Sequence, residues 1–280
     1  MTVRDITRIL TDAGIDPADA RSEARLLVSH FTGKPVSCLL AHPDEDFASP
    51  DLISAVEKRA GRYPLQYIVG TWEFYGLPFA VNEHTLIPRP DTELIAESAI
   101  RHTPADGRIL DLCTGSGCIA AAILANVPAA RGTAVDLYPE TLRAAEENLK
   151  NLGLSDRCAV LCGDAMTDLF DPSVTFDVIV SNPPYVTADE MNELEPELSF
   201  EPSHALTDGG DGLSILGKII AIYKNHLAPA GVMILEHGWK QSDAIRAIAE
   251  KNGMTHEKIM DYGGNIRGAI LKMNTRGEPF

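Results

Sequence analysis

Two short runs hold residue types that can do chemistry together. The first is Asn182-Pro183-Pro184-Tyr185. A planar –NH2 group needs two acceptors for its two protons, and the Asn182 side-chain oxygen with the Pro183 carbonyl supplies such a pair. Prolines lack an N–H donor and stiffen the chain, so the acceptors are aimed in advance. Tyr185 adds a flat face for stacking on a conjugated amide or a base. The second run is Asp111-Leu112-Cys113-Thr114-Gly115-Ser116-Gly117. Gly115 and Gly117 allow a tight turn and close approach of a ligand. The helix start that follows offers unpaired N–H groups. Asp136, 19 residues beyond Gly117, is placed to accept hydrogen bonds from ribose hydroxyls. Gly115, Gly117 and Ala120 also fit a dinucleotide fingerprint, which by itself does not separate nicotinamide from adenosyl cofactors. Asp111 tips the balance: a carboxylate there repels a pyrophosphate and suits a cationic ammonium group.

These runs need a sheet to position them. From Arg108 onward, short apolar runs alternate with helical segments. The runs ILDL (109–112), TAVDL (133–137), AVLC (159–162), FDVIVS (176–181), GVMILEH (231–237) and GAILKM (268–273) read as strands. Helices are expected over 118–126, 139–151, 213–227 and 241–252. Such alternation implies right-handed crossovers and a mostly parallel sheet covered on both faces. Both glycine and proline runs then fall at carboxyl ends of strands, where open α/β sheets bind ligands.

Residues 1–70 read differently. Val3, Ile6, Ile9 and Leu10 share one helical face. Asp16-Pro17 and Ser49-Pro50 are helix starts, a cap followed by proline, and a shorter helix is expected over 64–69. The aromatic stretches of TWEFYGLPFAVN flank Gly76-Leu77-Pro78 and suggest a β-hairpin. HTLIPRPDTE then leads into a helix for which Asp91 is the expected cap. The organisation read from this is a helical bundle over 1–70, a hairpin linker over 71–86 and an α/β domain over 87–280.

Charge narrows the function classes. The 280 residues carry 24 Lys and Arg against 40 Asp and Glu, a net charge of −16. Residues 1–80 hold 8 basic and 11 acidic side chains; residues 81–280 hold 16 and 29. The α/β part therefore repels a phosphate backbone on average, which counts against duplex DNA or naked RNA as main partner. No apolar run approaches the ~18 residues of a membrane span, and MTVRDITRIL lacks a signal-peptide core. Five cysteines (Cys38, Cys113, Cys118, Cys158, Cys162) form no metal-binding spacing and read as reduced thiols in a cytoplasmic protein with no structural metal.

Taken together, Asp111 to Gly117, Asp136 and the NPPY loop resemble class I S-adenosylmethionine-dependent methyltransferases acting on planar nitrogens. Tyr67-Ile68-Val69-Gly70, Phe74-Tyr75-Gly76, Ile87-Pro88-Arg89-Pro90-Asp91-Thr92-Glu93, Glu201-Pro202, Ala205-Leu206 and Gly209-Gly210-Asp211-Gly212-Leu213 narrow the resemblance to the release-factor glutamine N5-methyltransferases. The resemblance implies a Rossmann-like class I methyltransferase sheet of about seven strands, mostly parallel, with a small N-terminal helical bundle for substrate recognition. It implies S-adenosyl-L-methionine as cofactor, S-adenosyl-L-homocysteine as product, and no metal. Cofactor contacts are implied at Cys113, Thr114, Gly115, Ser116, Gly117, Asp136, Ala165 and Asn182. Substrate contacts are implied at Asn182, Pro183, Pro184 and Tyr185, with Asn182, Pro183 and Tyr185 catalytic. The implied partners are class I peptide chain release factors, methylated on the glutamine of a Gly-Gly-Gln motif by a cytoplasmic monomer without direct nucleic-acid contact.

Two positions depart from that family's pattern. Cys113 stands where glycine is usual, and its Cβ implies a negative φ. Ala165 stands where an aromatic often flanks the adenine. Arg89 is either a substrate-facing charge or an anchor between hairpin and sheet. Glu201, Asp211 and the acidic stretch Asp189, Glu190, Glu193, Glu195 and Glu197 are expected to be solvated. His237, Trp72 and Phe74 are expected in packing roles. The same NPPY chemistry suits an adenine N6-methyltransferase acting on DNA or RNA; a non-catalytic cofactor-binding module and a nicotinamide dehydrogenase are the other readings.

Overall fold

A computed structural model describes residues 1–42 and 44–274, and the chain divides into two compact units. The first comprises Met1–Thr71 together with Glu195–Phe200; the second comprises Trp72–Leu194 and the remainder.

In the first unit, five helices follow their local start and stop signals. Helix α1 (Val3–Asp12) begins with a capping box, Thr2 and Asp5 each accepting the other's backbone N–H. Helix α2 (Pro17–Thr32) starts at Asp16 and stops at Gly33 in the left-handed conformation. Helices α3 (Val36–Ala41), α4 (Pro50–Ala60, capped by Ser49) and α5 (Leu65–Val69) complete the set. Ile6, Leu10, Leu27 and Leu52 are fully buried between them. The segment 195–200 joins this unit through charge. Buried Arg59 binds both oxygens of Glu23 at 2.7 and 3.0 Å and Glu197 at 2.9 Å, and Arg62 binds the other Glu197 oxygen at 2.8 Å. Glu197 is therefore not a solvated charge as its run suggests: two guanidinium groups hold it and keep its pKa low.

A hairpin follows, β1 (Thr71–Phe74) and β2 (Leu77–Ala80), and the second unit begins within it at Trp72. Its turn is Tyr75-Gly76, both at positive φ, so Leu77 and Pro78 belong to the second strand and not to the turn. Phe74 and Phe79 pack edge-on in the core. Helix α6 (Pro90–His102) takes Arg89 as its N-cap residue; Asp91 lies inside its first turn and makes no side-chain cap. The sheet follows: β3 (Arg108–Leu112), α7 (Cys118–Asn126), β4 (Arg131–Asp136), α8 (Pro139–Asn151), β5 (Cys158–Cys162), β6 (Phe176–Ser181), α9 (Ser214–Tyr223), β7 (Leu227–Glu236), α10 (Ser242–Lys251), β8 (Met254–Met260) and β9 (Ile266–Met273). The order across the sheet is β5-β4-β3-β6-β7-β9-β8, and β9 alone runs antiparallel to its neighbours β7 and β8. Ile109, Val178, Val180 and Ile234 pack on one face; Leu110, Ile179, Met233 and Leu235 pack on the other. That two-sided burial explains the unbroken apolar runs. Strand β8 is not evident in the sequence, since it is an edge strand carrying His256, Glu257 and Lys258. No helix among the described residues is long and apolar enough to cross a membrane.

Candidate active site

Successive strands step outward from β3 to β5, and the chain then returns to β6 on the other side of β3. The crevice at such a reversal is where an open α/β sheet receives a ligand. Here the two strand ends are neighbours. Leu112 pairs with Ser181, and the Ser181 hydroxyl donates to the Leu112 carbonyl at 2.6 Å. The glycine loop leaves one end and Asn182 leaves the other. A cavity of about 250 Å³ opens between them.

The glycine loop is fixed from several sides. Thr114 N–H donates to the Val135 carbonyl at 2.9 Å, and Gly115 N–H to Asp136 Oδ2 at 3.0 Å. Asn148, buried on α8, donates to the Ser116 carbonyl at 2.9 Å and pairs with both backbone groups of Ala80 on the hairpin. Cys113, Gly115 and Gly117 all have positive φ, at 57°, 58° and 80°. The expectation of negative φ at Cys113 is thus wrong. The β3 register on one side and the Thr114 and Gly115 hydrogen bonds on the other dictate the backbone, against a cost of about 1–2 kcal/mol for an L residue. A Cβ on Gly115 would meet only open space, so its missing side chain widens the cavity mouth.

Asp111, expected beside a cationic ammonium group, keeps one carboxylate oxygen, Oδ1, buried without a hydrogen-bond partner. It is fully buried, and its Oδ2 accepts from the Thr114 hydroxyl at 2.6 Å and from Ala120 N–H at 3.2 Å. It splices β3 to α7 behind the loop and does not line the cavity. Burial pushes its carboxyl up to about 7. Asp136 does line the cavity; burial raises its pKa while the backbone N–H groups of Gly115 and Tyr138 pull it down. Burial also pushes the Cys113 thiol up, so it is a neutral wall and not a nucleophile.

Of the residues singled out in the sequence, Cys113, Thr114, Gly115, Ser116, Asp136, Ala165, Asn182 and Pro184 line the cavity. Gly117, Pro183 and Tyr185 are not among the residues that line it. Tyr185 donates its hydroxyl to Glu236 Oε1 at 2.9 Å, and burial with this carboxylate raises its pKa. Asn182 donates through Nδ2 to Thr92 Oγ1 at 3.2 Å, which leaves Oδ1 to accept. Tyr138 and His204 also line the cavity, their rings 3.7 Å apart between centroids and inclined by 33°. Nothing in the spacing of His204 in the sequence pointed there.

Five residues of the run 87–93 have polar partners, and Ile87 and Arg89 share one. Ile87 N–H donates to Glu201 Oε2 at 3.0 Å, and Arg89 pairs with Glu201 Oε1. Glu201 is thus buried and paired, contrary to the solvated loop expected of it. Arg89 ties α6 to this loop and not to the hairpin, while its side chain also faces the cavity. Asp91 pairs with Arg267 at 3.0 Å, Thr92 receives Asn182, and Glu93 accepts from Tyr75 N–H at 2.8 Å. Within the acidic stretch, Glu190 pairs with Lys240 at 3.3 Å.

The chain leaving Tyr185 is held by the glycine-rich segment 208–214. Val186 N–H donates to the Leu206 carbonyl and Ala188 N–H to the Gly210 carbonyl, each at 2.9 Å. The Asp208 carboxylate accepts from the N–H groups of Gly210, Gly212 and Ser214. Gln241 Nε2 donates to the Tyr185 carbonyl at 3.0 Å and to the Gly212 carbonyl at 3.3 Å. Among the described residues no group of three or more His, Cys, Asp or Glu is arranged to hold a metal ion.

The chain is similar to known proteins along most of its length. Residues 2–70 match the PrmC N-terminal domain family, and residues 91–235 match the methyltransferase small domain family. A release factor glutamine methyltransferase of Bordetella pertussis is 40% identical over 252 residues, covering 88% of this chain and 92% of that relative. The chain belongs to the release factor glutamine methyltransferases. One from Salmonella typhimurium is 36% identical over 258 residues, covering 90% of this chain and 92% of the relative. Among solved structures, the hMettl16 catalytic domain in complex with MAT2A 3'UTR hairpin 6 aligns with a TM-score of 0.57 at 18% identity, covering 81% of each chain. At that identity the likeness is one of fold.

Proposed function

We propose that this chain transfers a methyl group from S-adenosyl-L-methionine to the side-chain N5 of the glutamine in the Gly-Gly-Gln motif of class I peptide chain release factors. The observation that carries the reading is the anchoring of Asn182. Its Nδ2 is committed to Thr92, so its Oδ1 is the free polar atom at the strand tip beside the cavity.

The residues present fit the cofactor. The open space at Gly115 admits a ligand against the backbone, and Asp136 at the end of β4 presents a carboxylate suited to ribose hydroxyls. Cys113, Thr114 and Ser116 supply the loop wall. Ala165 and Met166 supply an apolar wall, and Tyr138 with His204 an aromatic one that compensates for the missing aromatic at position 165. When bound, S-adenosyl-L-methionine supplies an electrophilic methyl group on a sulfonium sulfur.

The chain's own residues then act on the nucleophile. A carboxamide nitrogen is weak because its lone pair is delocalised into the carbonyl. Asn182 Oδ1 and the Pro183 carbonyl accept hydrogen bonds from its two N–H groups, which pulls electron density onto nitrogen and fixes its direction; as the new N–C bond forms, one of these N–H groups becomes acidic and gives up its proton to water. Fixing the nitrogen in line at contact distance, roughly 3–3.5 Å, supplies much of the rate. Tyr185 and Pro184 hold the loop that carries both acceptors. The helical unit over 1–70 is the proposed grip on the release factor, because one glutamine side chain carries little identity.

The test is incubation of the full chain with methyl-labelled cofactor and purified release factor, followed by mass mapping. Label confined to the Gly-Gly-Gln glutamine is the expected result. Label on another residue, or strong incorporation into unmethylated DNA with none in the release factor, refutes the reading.

A further inference from the structure

The orientation of the Asn182 amide has a cause deeper in the fold. Glu236 ends β7 and is buried. Its Oε1 accepts from the Tyr185 hydroxyl at 2.9 Å, and its Oε2 is buried without a hydrogen-bond partner. The Thr92 hydroxyl lies beside the same carboxylate. That hydroxyl oxygen also receives Asn182 Nδ2 at 3.2 Å. Tyr185 is therefore bound to this carboxylate directly, and Asn182 is connected to it only through Thr92.

The direction of these bonds matters more than their number. An ionised carboxylate is an acceptor only: its Oε1 holds the Tyr185 hydroxyl proton, and its unpartnered Oε2 is the acceptor open to the Thr92 hydroxyl. With its proton turned to that oxygen, Thr92 Oγ1 offers lone pairs alone. Asn182 can then meet it only with its –NH2 end, and the carbonyl end is left for the cavity. If the carboxyl is protonated, or replaced by an amide, Thr92 is free to turn its proton toward Asn182. The Asn182 amide can then reverse and present Nδ2 where an acceptor is needed.

We propose that Glu236 is a positioning residue that fixes the orientation of the Asn182 amide through Thr92 and the pose of Tyr185 directly. The inference deepens the reading of Asn182 as acceptor and rests on it.

The surroundings make this device sensitive to pH. Burial pushes Glu236 up to about 7, and Asp91 adds to the rise, while the Thr92 and Tyr185 hydroxyls and Arg267 oppose it. The charged and titratable groups around it are Asp91 from α6, Arg267 from β9, Tyr185 from the loop after β6, and Cys118 from α7. Arg267 is shared between Asp91 and Asp261, each at 3.0 Å. His237 follows Glu236 in the chain, and burial lowers its pKa. Turnover accordingly rises with pH as Glu236 ionises.

The experiment measures kcat and KM for release-factor methylation by the full chain on either side of pH 7, alongside melting temperature and cofactor affinity. Glu236→Gln preserves shape and removes the acceptor-only character. The expected result is a kcat lower by about 10- to 100-fold above pH 7, the scale of a small misplacement of a reacting group. Cofactor affinity should stay within about twofold, and the fall of kcat toward acid should flatten. Wild-type kcat with the acidic fall intact in Glu236→Gln overturns the inference. If that variant does not fold, Thr92→Val cuts the relay and leaves the carboxylate; loss of both kcat and the acidic fall supports the inference, and an unchanged profile overturns it. Asn182→Ala run in parallel separates the two levels. If it keeps wild-type turnover, the acceptor reading falls and this inference with it. If it loses turnover while Glu236→Gln and Thr92→Val do not, only the positioning role falls.

Discussion

Gly212→Ala tests how tightly the reaction loop is clamped. Gly212 has φ +72°, and a Cβ built there lies 2.0 Å from the Tyr185 carbonyl oxygen and 2.6 Å from Gln241 Nε2. The first of these is a backbone atom one residue beyond Pro184, about 1.4 Å short of ordinary contact. No rotamer relieves such an overlap, so either the 208–214 segment or the Tyr185 backbone must move. Both movements break the Gln241 bridge at 3.0 and 3.3 Å. The natural control is Gly209→Ala, which also requires positive φ (+75°) but meets nothing within 4 Å. Gly209→Ala should cost only the left-handed backbone term, about 1–2 kcal/mol in stability. Gly212→Ala should cost that term and also displace the loop by on the order of 1 Å, which corresponds to about a 10²-fold loss in kcat. Chemical denaturation and single-turnover methylation of both variants, with cofactor affinity measured separately, check this. Equal turnover in the two variants refutes the argument that segment 208–214 positions Tyr185.

Other expectations follow from the same structure. Asn182→Ala should lower kcat by about 10²–10³ with little change in melting temperature, since it removes one fixed polar partner at the reacting nitrogen; steady-state kinetics check it. Arg59→Ala should destabilise the chain by about 3–5 kcal/mol, because it strips a buried cation from Glu23 and Glu197, while Lys34→Ala on the exposed pair with Glu45 should cost under about 1 kcal/mol. The pH dependence of stability should carry the mark of Asp111. Its folded-state pKa of about 7 lies above the ordinary 3.8, so the folded chain holds this proton where the unfolded chain releases it. That contribution is whole below pH 3.8 and is lost as pH rises through 7, a fall on the order of a few kcal/mol. Asp111→Asn should flatten the fall, as read from denaturation midpoints at about pH 5 and about pH 8.

Much of this architecture could be read ahead of the structure, and the misses have physical causes. FDVIVS matches β6 residue for residue, and α7 and α8 keep their expected bounds, because burial on both faces and proline or glycine at the helix starts write directly into composition. Strand β8 was missed because an edge strand pairs through its backbone, whatever its side chains are. Helix α3 was missed because it is six residues long with no capping side chain. Within the site, the strand-end position of Asn182 and Asp136 was legible from the alternation of elements. The roles of Thr92 and Glu236 were not, since their meeting depends on the packing of α6 against β7. A carboxylate interrupting the apolar run GVMILEH is the one signal that pointed to Glu236. Glu201 and Glu197 were misread for a related reason: an acidic side chain in a loop looks solvated until the arginine it meets, far off in sequence, is known. The end-of-strand position of Asp111 was legible, but not that its Oδ2 would be taken by Thr114 and Ala120 while its Oδ1 stays buried without a partner.

The inclusion of Glu195–Phe200 in the first unit sets a schedule for biosynthesis. Arg59 and Glu197 are 138 positions apart, so at about 5–20 residues per second the ribosome needs roughly 7–30 s between making one and making the other. Throughout that interval the nascent helical bundle holds Arg59 against Glu23 alone, and Arg62 waits for a counter-charge that does not yet exist. The unit that begins to form first is thus completed only after more than two thirds of the chain has been made, and nascent chains stalled before residue 195 should expose it to proteases and chaperones.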